Sequence, residues 1–214
     1  MIRLQAAGVL LVLHAMSGCS HDEPRSTPPP TTSAPTTTPT ASPTPAATVV
    51  EVFSPFTFGG ALAKGITVAR HTTATCQGSN LLARSDALRC FGEGDDHEIR
   101  DPCFRDGYPE RVVCAEGPGD DQAVEVRVVG TLPTREPQES LTAGSPWFVT
   151  LEDGQVCSEL GGATDAIGGQ RLNYGCKNGD LYGEVDRSTP LWTIFYRANN
   201  AATLQQVRVF QATF

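Results

Sequence analysis

The sequence predicts a mainly β protein, a disulfide-stapled β-sandwich or barrel-like ectodomain behind a disordered tether. Three observations carry that expectation. Short β-branched and aromatic runs bounded by Gly and Pro recur from Val49 to Phe210. The chain has 7 cysteines, spread without a Cys-x-x-Cys pair. Between Ser20 and Thr48 it is nearly all Ser, Thr, Pro and Ala, with no apolar side chain large enough to start a core.

Residues 1–18 have the layout of an export signal: a positive charge at Arg3, an apolar run from Ala6 to Leu13, and small residues at Ser17 and Gly18. The run is about half the roughly 20 residues a spanning helix needs, and His14 interrupts it. Met16-Ser17-Gly18-Cys19 resembles the bacterial lipobox, with Met16 in place of the usual leucine. That resemblance implies cleavage before Cys19 and attachment of diacylglycerol to its thiol. Cysteine arithmetic agrees, because an odd thiol count leaves one over in an oxidising compartment. With Cys19 removed to a thioether, the other six can pair completely, and acyl chains on one residue anchor it to a membrane.

The segment 19–48 then reads as a lipidated cysteine and a Ser/Thr/Pro-rich linker. Fully extended at about 3.1 Å per residue, it would reach on the order of 90 Å, enough to carry a domain off the membrane into a cell wall. Such a stalk is a candidate for O-glycosylation. The net charge of −8 falls after residue 50, since Arg3 and Arg25 balance Asp22 and Glu23 before it. A surface of that sign argues against nucleic acid and anionic lipid as partners.

The remainder divides, on this reading, into a cysteine-rich β subdomain over 49–118 and a second β subdomain over 119–214. Val49 to Phe53 and Gly65 to Val68 read as strands. Cys76, Cys90, Cys103 and Cys114 follow with thirteen, twelve and ten residues between them and no histidine at a second-ligand spacing, so zinc fits poorly and disulfides fit well. Six cysteines allow 15 connectivities. Turn chemistry favours neighbours: Asp106-Gly107 lies between Cys103 and Cys114, and the same reasoning pairs Cys76 with Cys90 and Cys157 with Cys176.

No metal or cofactor is expected. Asp95, Asp96, Glu98 and Asp101, in the Gly-rich loop after Gly92, are weak Ca²⁺ candidates through their oxygens, but their spacing is not that of an EF-hand. His71 and His97 are the histidines outside the leader and tether, so a histidine mechanism would have to use one of them.

Ala123 to Val129 alternates as a strand and runs into a Pro-rich connection up to about Ser145. Trp147 to Leu151 and Gln155 to Leu160 flank an Asp153-Gly154 turn. A two-residue type I′ turn at Asn178-Gly179 would set Cys176 opposite Leu181, Tyr174 opposite Gly183 and Leu172 opposite Val185 on one face, with Gly183 leaving room for the Tyr174 ring. Leu191 to Tyr196 and Val207 to Phe210 supply two more strands around Asn199-Asn200, with Trp147 and Trp192 as core residues.

Taken together, Arg84 to Cys90, Ile99 to Phe104, Pro146-Trp147, Gly154 to Cys157, Tyr174-Gly175-Cys176 and Pro190 to Thr193 resemble a family of exported actinomycete lipoproteins of mycobacterial type that has no assigned activity. The resemblance spans about residues 76–214. It implies the envelope of a Gram-positive-type cell and carries over no catalytic residue.

No Gly-x-Ser-x-Gly elbow, phosphate-binding glycine loop or His-Glu-x-x-His motif occurs. The paired glycines at 59–60, 161–162 and 168–169 read as turns. The expected function is therefore a membrane-anchored binding or structural module on the outer face of the cell membrane. Its expected partners are the membrane through Cys19 and an envelope protein or glycan. Two alternatives stay open: an envelope hydrolase or transferase using His71 or His97 with a carboxylate such as Asp101, and a sensor or accessory subunit of an envelope complex.

Overall fold

The structure is a computed structural model that describes residues 45–94, 97–106, 111–135, 137, 140–162 and 164–214. The signal segment, Cys19 and the linker as far as residue 44 lie outside the described residues, as do Asp95 and Asp96. Regular structure among the described residues is all strand, and no helix is long and apolar enough to cross a membrane.

Eleven of the thirteen strands among the described residues form two closed barrels. The first contains β2 (Thr67–Gly78), β3 (Ala87–Gly92), β4 (Ile99–Asp106), β5 (Arg111–Ala115) and β6 (Gln122–Val128). Consecutive strands are antiparallel, so five of them bring the last alongside the first in the same direction. The barrel accordingly closes through a parallel β2–β6 pair, from Thr67 opposite Gln122 to Ala74 opposite Val128. The second barrel contains β7 (Phe148–Leu151), β8 (Val156–Glu159), β10 (Gln170–Cys176), β11 (Gly179–Asp186), β12 (Thr193–Ala198) and β13 (Gln205–Thr213). An even number permits antiparallel closure throughout, here by β13 against β7. The short strands β1 (Val49–Glu51) and β9 (Ala166–Ile167) add to β13 and β10.

This topology redraws the division at 118/119. β6 lies beyond that boundary yet closes the first barrel, because β2 and β5 would otherwise present two open edges. β1 lies before it yet pairs with β13 of the second barrel. The fold also begins earlier than the linker boundary at 48. Thr48 donates its amide to Pro190 O (2.9 Å) and its hydroxyl to Val209 O (2.6 Å), while Trp192 N donates to the Thr48 hydroxyl (2.8 Å). A polar residue read as tether thus fills the junction where β12 stops and β1 begins along β13.

The three disulfides are Cys76–Cys90, Cys103–Cys114 and Cys157–Cys176. In every case the two cysteines sit directly opposite each other on paired strands: β2 with β3, β4 with β5, and β8 with β10. Sequence separations of 14, 11 and 19 residues make each worth about 3 kcal/mol on the loop-entropy argument.

The Asp153-Gly154 turn forms as expected, with Gly154 at φ 82° and Thr150 opposite Val156. The next hairpin does not keep the expected register. Its turn residues are Lys177 and Asn178, Cys176 faces Gly179, and Tyr174 faces Leu181. Gly179 is needed inside β11 rather than in the turn, because a Cβ there would lie 2.2 Å from the Arg197 carbonyl and 2.8 Å from the Tyr196 ring. Gly183, at φ 73°, lies in the irregular stretch of β11 between Tyr182 and Asp186 where the register against β12 shifts, instead of making room for Tyr174; a Cβ there would meet the Gln170 side chain.

Strand alternation sorts the apolar residues into three clusters. Leu88, Cys90, Cys103, Val112, Cys114 and Val126 fill the first barrel, and Val149, Tyr174, Leu181, Ile194, Val209 and Phe214 fill the second. The alternate positions Ala87, Phe104, Val113 and Ala123 point out of the first barrel and pack on Trp147 of the second, with Phe53 and Phe56 from the segment before β2. Ring centroids of Phe53, Phe104 and Trp147 lie 5.4 to 5.9 Å apart in edge-on or tilted arrangements, favourable geometry for aromatic pairs. Arg84 fastens the same seam. Its side chain, 2% exposed, forks onto Asp86 (2.6 and 3.0 Å) and donates to the main-chain oxygens of Phe53 (2.7 Å) and Phe214 (3.0 Å).

Candidate functional site

The seam leaves a cleft of about 300 Å³ where the first barrel's mouth meets β7 and β8. The start of β4 supplies Ile99, Arg100 and Asp101 to its wall, and the end of β5 supplies Cys114 and Ala115. Trp147, Phe148 and Glu159 come from the second barrel. The hydrogen-bond pattern holds these pieces together, since Glu159 N donates to Trp147 O (2.9 Å) across the β7–β8 hairpin. A second hollow of about 300 Å³ shares Arg70, Cys114, Glu116 and Val124 with the first and extends toward Asp120 and Asp121.

The charges in the cleft are mostly spoken for. Glu98 takes both Arg70 (3.0 Å) and Arg100 on the same carboxylate oxygen. Asp101 accepts the Ser79 hydroxyl on one oxygen and Asn80 N (3.0 Å) on the other. Glu159 is different. Its Oε2 is sealed from solvent with no hydrogen-bond partner. Burial, reinforced by the negative charges of Glu184 and Asp101 and only partly opposed by Arg171, pushes its carboxyl up to about 8. At neutral pH that shift favours the protonated carboxyl. Beside it on β10, Tyr174 donates to Pro146 O (2.9 Å), and burial drives its phenol upward as well.

The sequence-derived candidates separate on this map. Of the Ca²⁺ candidates, Glu98 and Asp101 line the cleft with their oxygens engaged by arginine, hydroxyl and amide donors. Asp95 and Asp96 lie outside the described residues. His71 stands on β2 opposite Glu125 of β6, with Nδ1 3.5 Å from that carboxylate and a side chain 75% exposed. Arg111 also binds Glu125 (2.8 Å) and, through that hydrogen bond, holds its carboxyl below the usual value. His97 is exposed. Neither histidine lines the cleft, and Asp101 is bound by Ser79 and Asn80. Among the described residues the one grouping with metal-ligand proximity is Cys90, Cys103 and Cys114, and all three sulfurs are in disulfides.

Glu159 and the buried arginines escaped the sequence reading. Ser-Glu at the end of a strand looks like a solvated terminus, whereas in the fold Glu159 lies opposite the buried Tyr174 and lines the cleft. Trp147 was expected as core, which it is at 4% exposure; it also floors the cleft.

No family model matches the chain, and searches of curated proteins and of solved structures return no match.

Proposed function

We propose that the chain is an exported lipoprotein, anchored through a diacylglyceryl Cys19 on the outer face of the cell membrane, whose two-barrel ectodomain is a binding module of the envelope. The ligand, a glycan or an envelope peptide, occupies the cleft between the barrels. The observation that carries this reading is the cleft itself. It is a concave site at a junction of two rigid units, with an aromatic floor and a few fixed polar groups, the usual form of a ligand site. Export is supported by the signal layout, by the lipobox-like residues at Cys19, and by the complete pairing of the other six cysteines. The resemblance to actinomycete envelope lipoproteins supports the same setting.

Ile99, 51% exposed on the cleft wall, allows a test that spares the core. A Cys19→Ser chain, released from lipid, should co-sediment with isolated cell wall, and Ile99→Glu should abolish that binding while leaving the melting temperature unchanged. Equal sedimentation of both proteins would show that the cleft is not the binding site.

The upward shift of the Glu159 carboxyl favours a second reading, an acid–base enzyme in the same cleft. Under that reading Glu159→Gln eliminates turnover of a bound glycan but retains binding; under the binding-module reading no turnover is found in either protein.

A further inference from the structure

We propose that the first barrel performs thiol–disulfide exchange, relaying a reducing equivalent across its interior, from a thiol that enters at Cys114 at the cleft to a thiol released at Cys76 on β2. The Sγ atoms of Cys90, Cys103 and Cys114 all lie within 4.8 Å of one another. One member of the Cys76–Cys90 bond therefore sits against both members of the Cys103–Cys114 bond. Strand irregularity makes this possible: a register shift between Leu88 and Cys90 on β3 lets Leu88 face Cys103 while Cys90 faces Arg100, so the two disulfides stack beside each other in one core.

Access is graded along the sulfurs. Cys114, 6% exposed, lines both hollows at the barrel mouth. Cys103 and Cys90 are fully buried, and Cys76 is partly exposed again. A small thiol fits a cleft of about 300 Å³. Its thiolate attacks Cys114 Sγ, forming a mixed disulfide and expelling the Cys103 thiolate. Freed from its bond, the Cys103 side chain can rotate to attack Cys90 Sγ, forming Cys90–Cys103 and expelling the Cys76 thiolate. One disulfide is consumed and one formed at each step, two electrons stay within the sulfur set, and the proton lost by the incoming thiol is taken up at Cys76. The Cys157–Cys176 bond of the second barrel, with Cys157 fully buried and outside this sulfur group, is an internal control.

The test uses the full chain, held anaerobically at pH 8 with one equivalent of reduced glutathione, quenched with N-ethylmaleimide and mapped by peptide mass spectrometry. The expected map has glutathione on Cys114, a new Cys90–Cys103 bond, maleimide on Cys76 and an intact Cys157–Cys176 bond. In a Cys76→Ser chain, which starts with a Cys90 thiol, part of the protein should carry Cys90–Cys103 with maleimide on Cys114. The proposal is overturned if glutathione gives no Cys90–Cys103 bond in the parent protein, or if Cys90 is the only cysteine alkylated in the Cys76→Ser chain.

Discussion

Glu159 and Arg84 are two buried ionisable residues with opposite solutions. Arg84 has its buried guanidinium matched by a carboxylate and two main-chain oxygens. Removing the guanidinium leaves Asp86 and the Phe53 oxygen without that donor and the Phe214 oxygen with Phe53 N alone, so Arg84→Ala should cost about 3 to 5 kcal/mol in urea unfolding. Lysine cannot reproduce the fork and should recover only part of that loss. Glu159 has an unpartnered oxygen, and its burial favours the protonated carboxyl instead. Its folded value, about 8, lies above the unfolded value near 4.5. The stabilisation linked to its proton is therefore complete below about pH 4.5 and lost as pH rises toward 8. Comparing melting temperatures at pH 5 and pH 8, the parent protein should fall further than Glu159→Gln. Parallel curves would mean that Glu159 ionises normally in the fold.

Among the elements, hairpins were legible where turn chemistry and hydrophobic alternation agreed. Asp153-Gly154 needs a positive φ at glycine and has one. Asn178-Gly179 carried the same signal for another reason: the glycine is reserved for the approach of the Arg197 carbonyl from β12, a long-range contact that local sequence does not encode. Gly179→Ala should thus cost about 1 to 3 kcal/mol or more through overpacking against backbone, whereas Lys177→Ala in the turn should stay within about 0.5 kcal/mol; chemical denaturation of both variants measures the contrast. The disulfide pattern was legible because each pair joins strands adjacent in sequence or across a short excursion. The cleft was not, because its walls come from β4, β5, β7 and β8, and nothing in either segment specifies how the barrels meet. Thr48 was hidden for a related reason, its partners being Pro190, Trp192 and Val209.

For the molecule as a whole, the interface core around Phe53, Phe104 and Trp147 joins the two barrels and should make their unfolding interdependent. Trp147→Ala removes the residue common to the seam and the cleft floor, and should cost about 3 to 5 kcal/mol. Unfolding of the parent protein followed by tryptophan fluorescence and by far-ultraviolet circular dichroism should give coincident transitions. Well-separated transitions would mean that the seam is too weak to couple the barrels. The three disulfides fit the same economy, with two in the five-stranded barrel and one in the six-stranded barrel.

On the proposed function, Cys19 is set apart as the lipid anchor while the other six cysteines pair within an exported domain. A cysteine map of the membrane-bound protein by mass spectrometry should then show a mature chain beginning at a diacylglyceryl Cys19, with Cys76–Cys90, Cys103–Cys114 and Cys157–Cys176 linked. An unmodified Cys19 thiol in a chain that still carries residues 1–18, or reduced thiols at the other six positions, would contradict it.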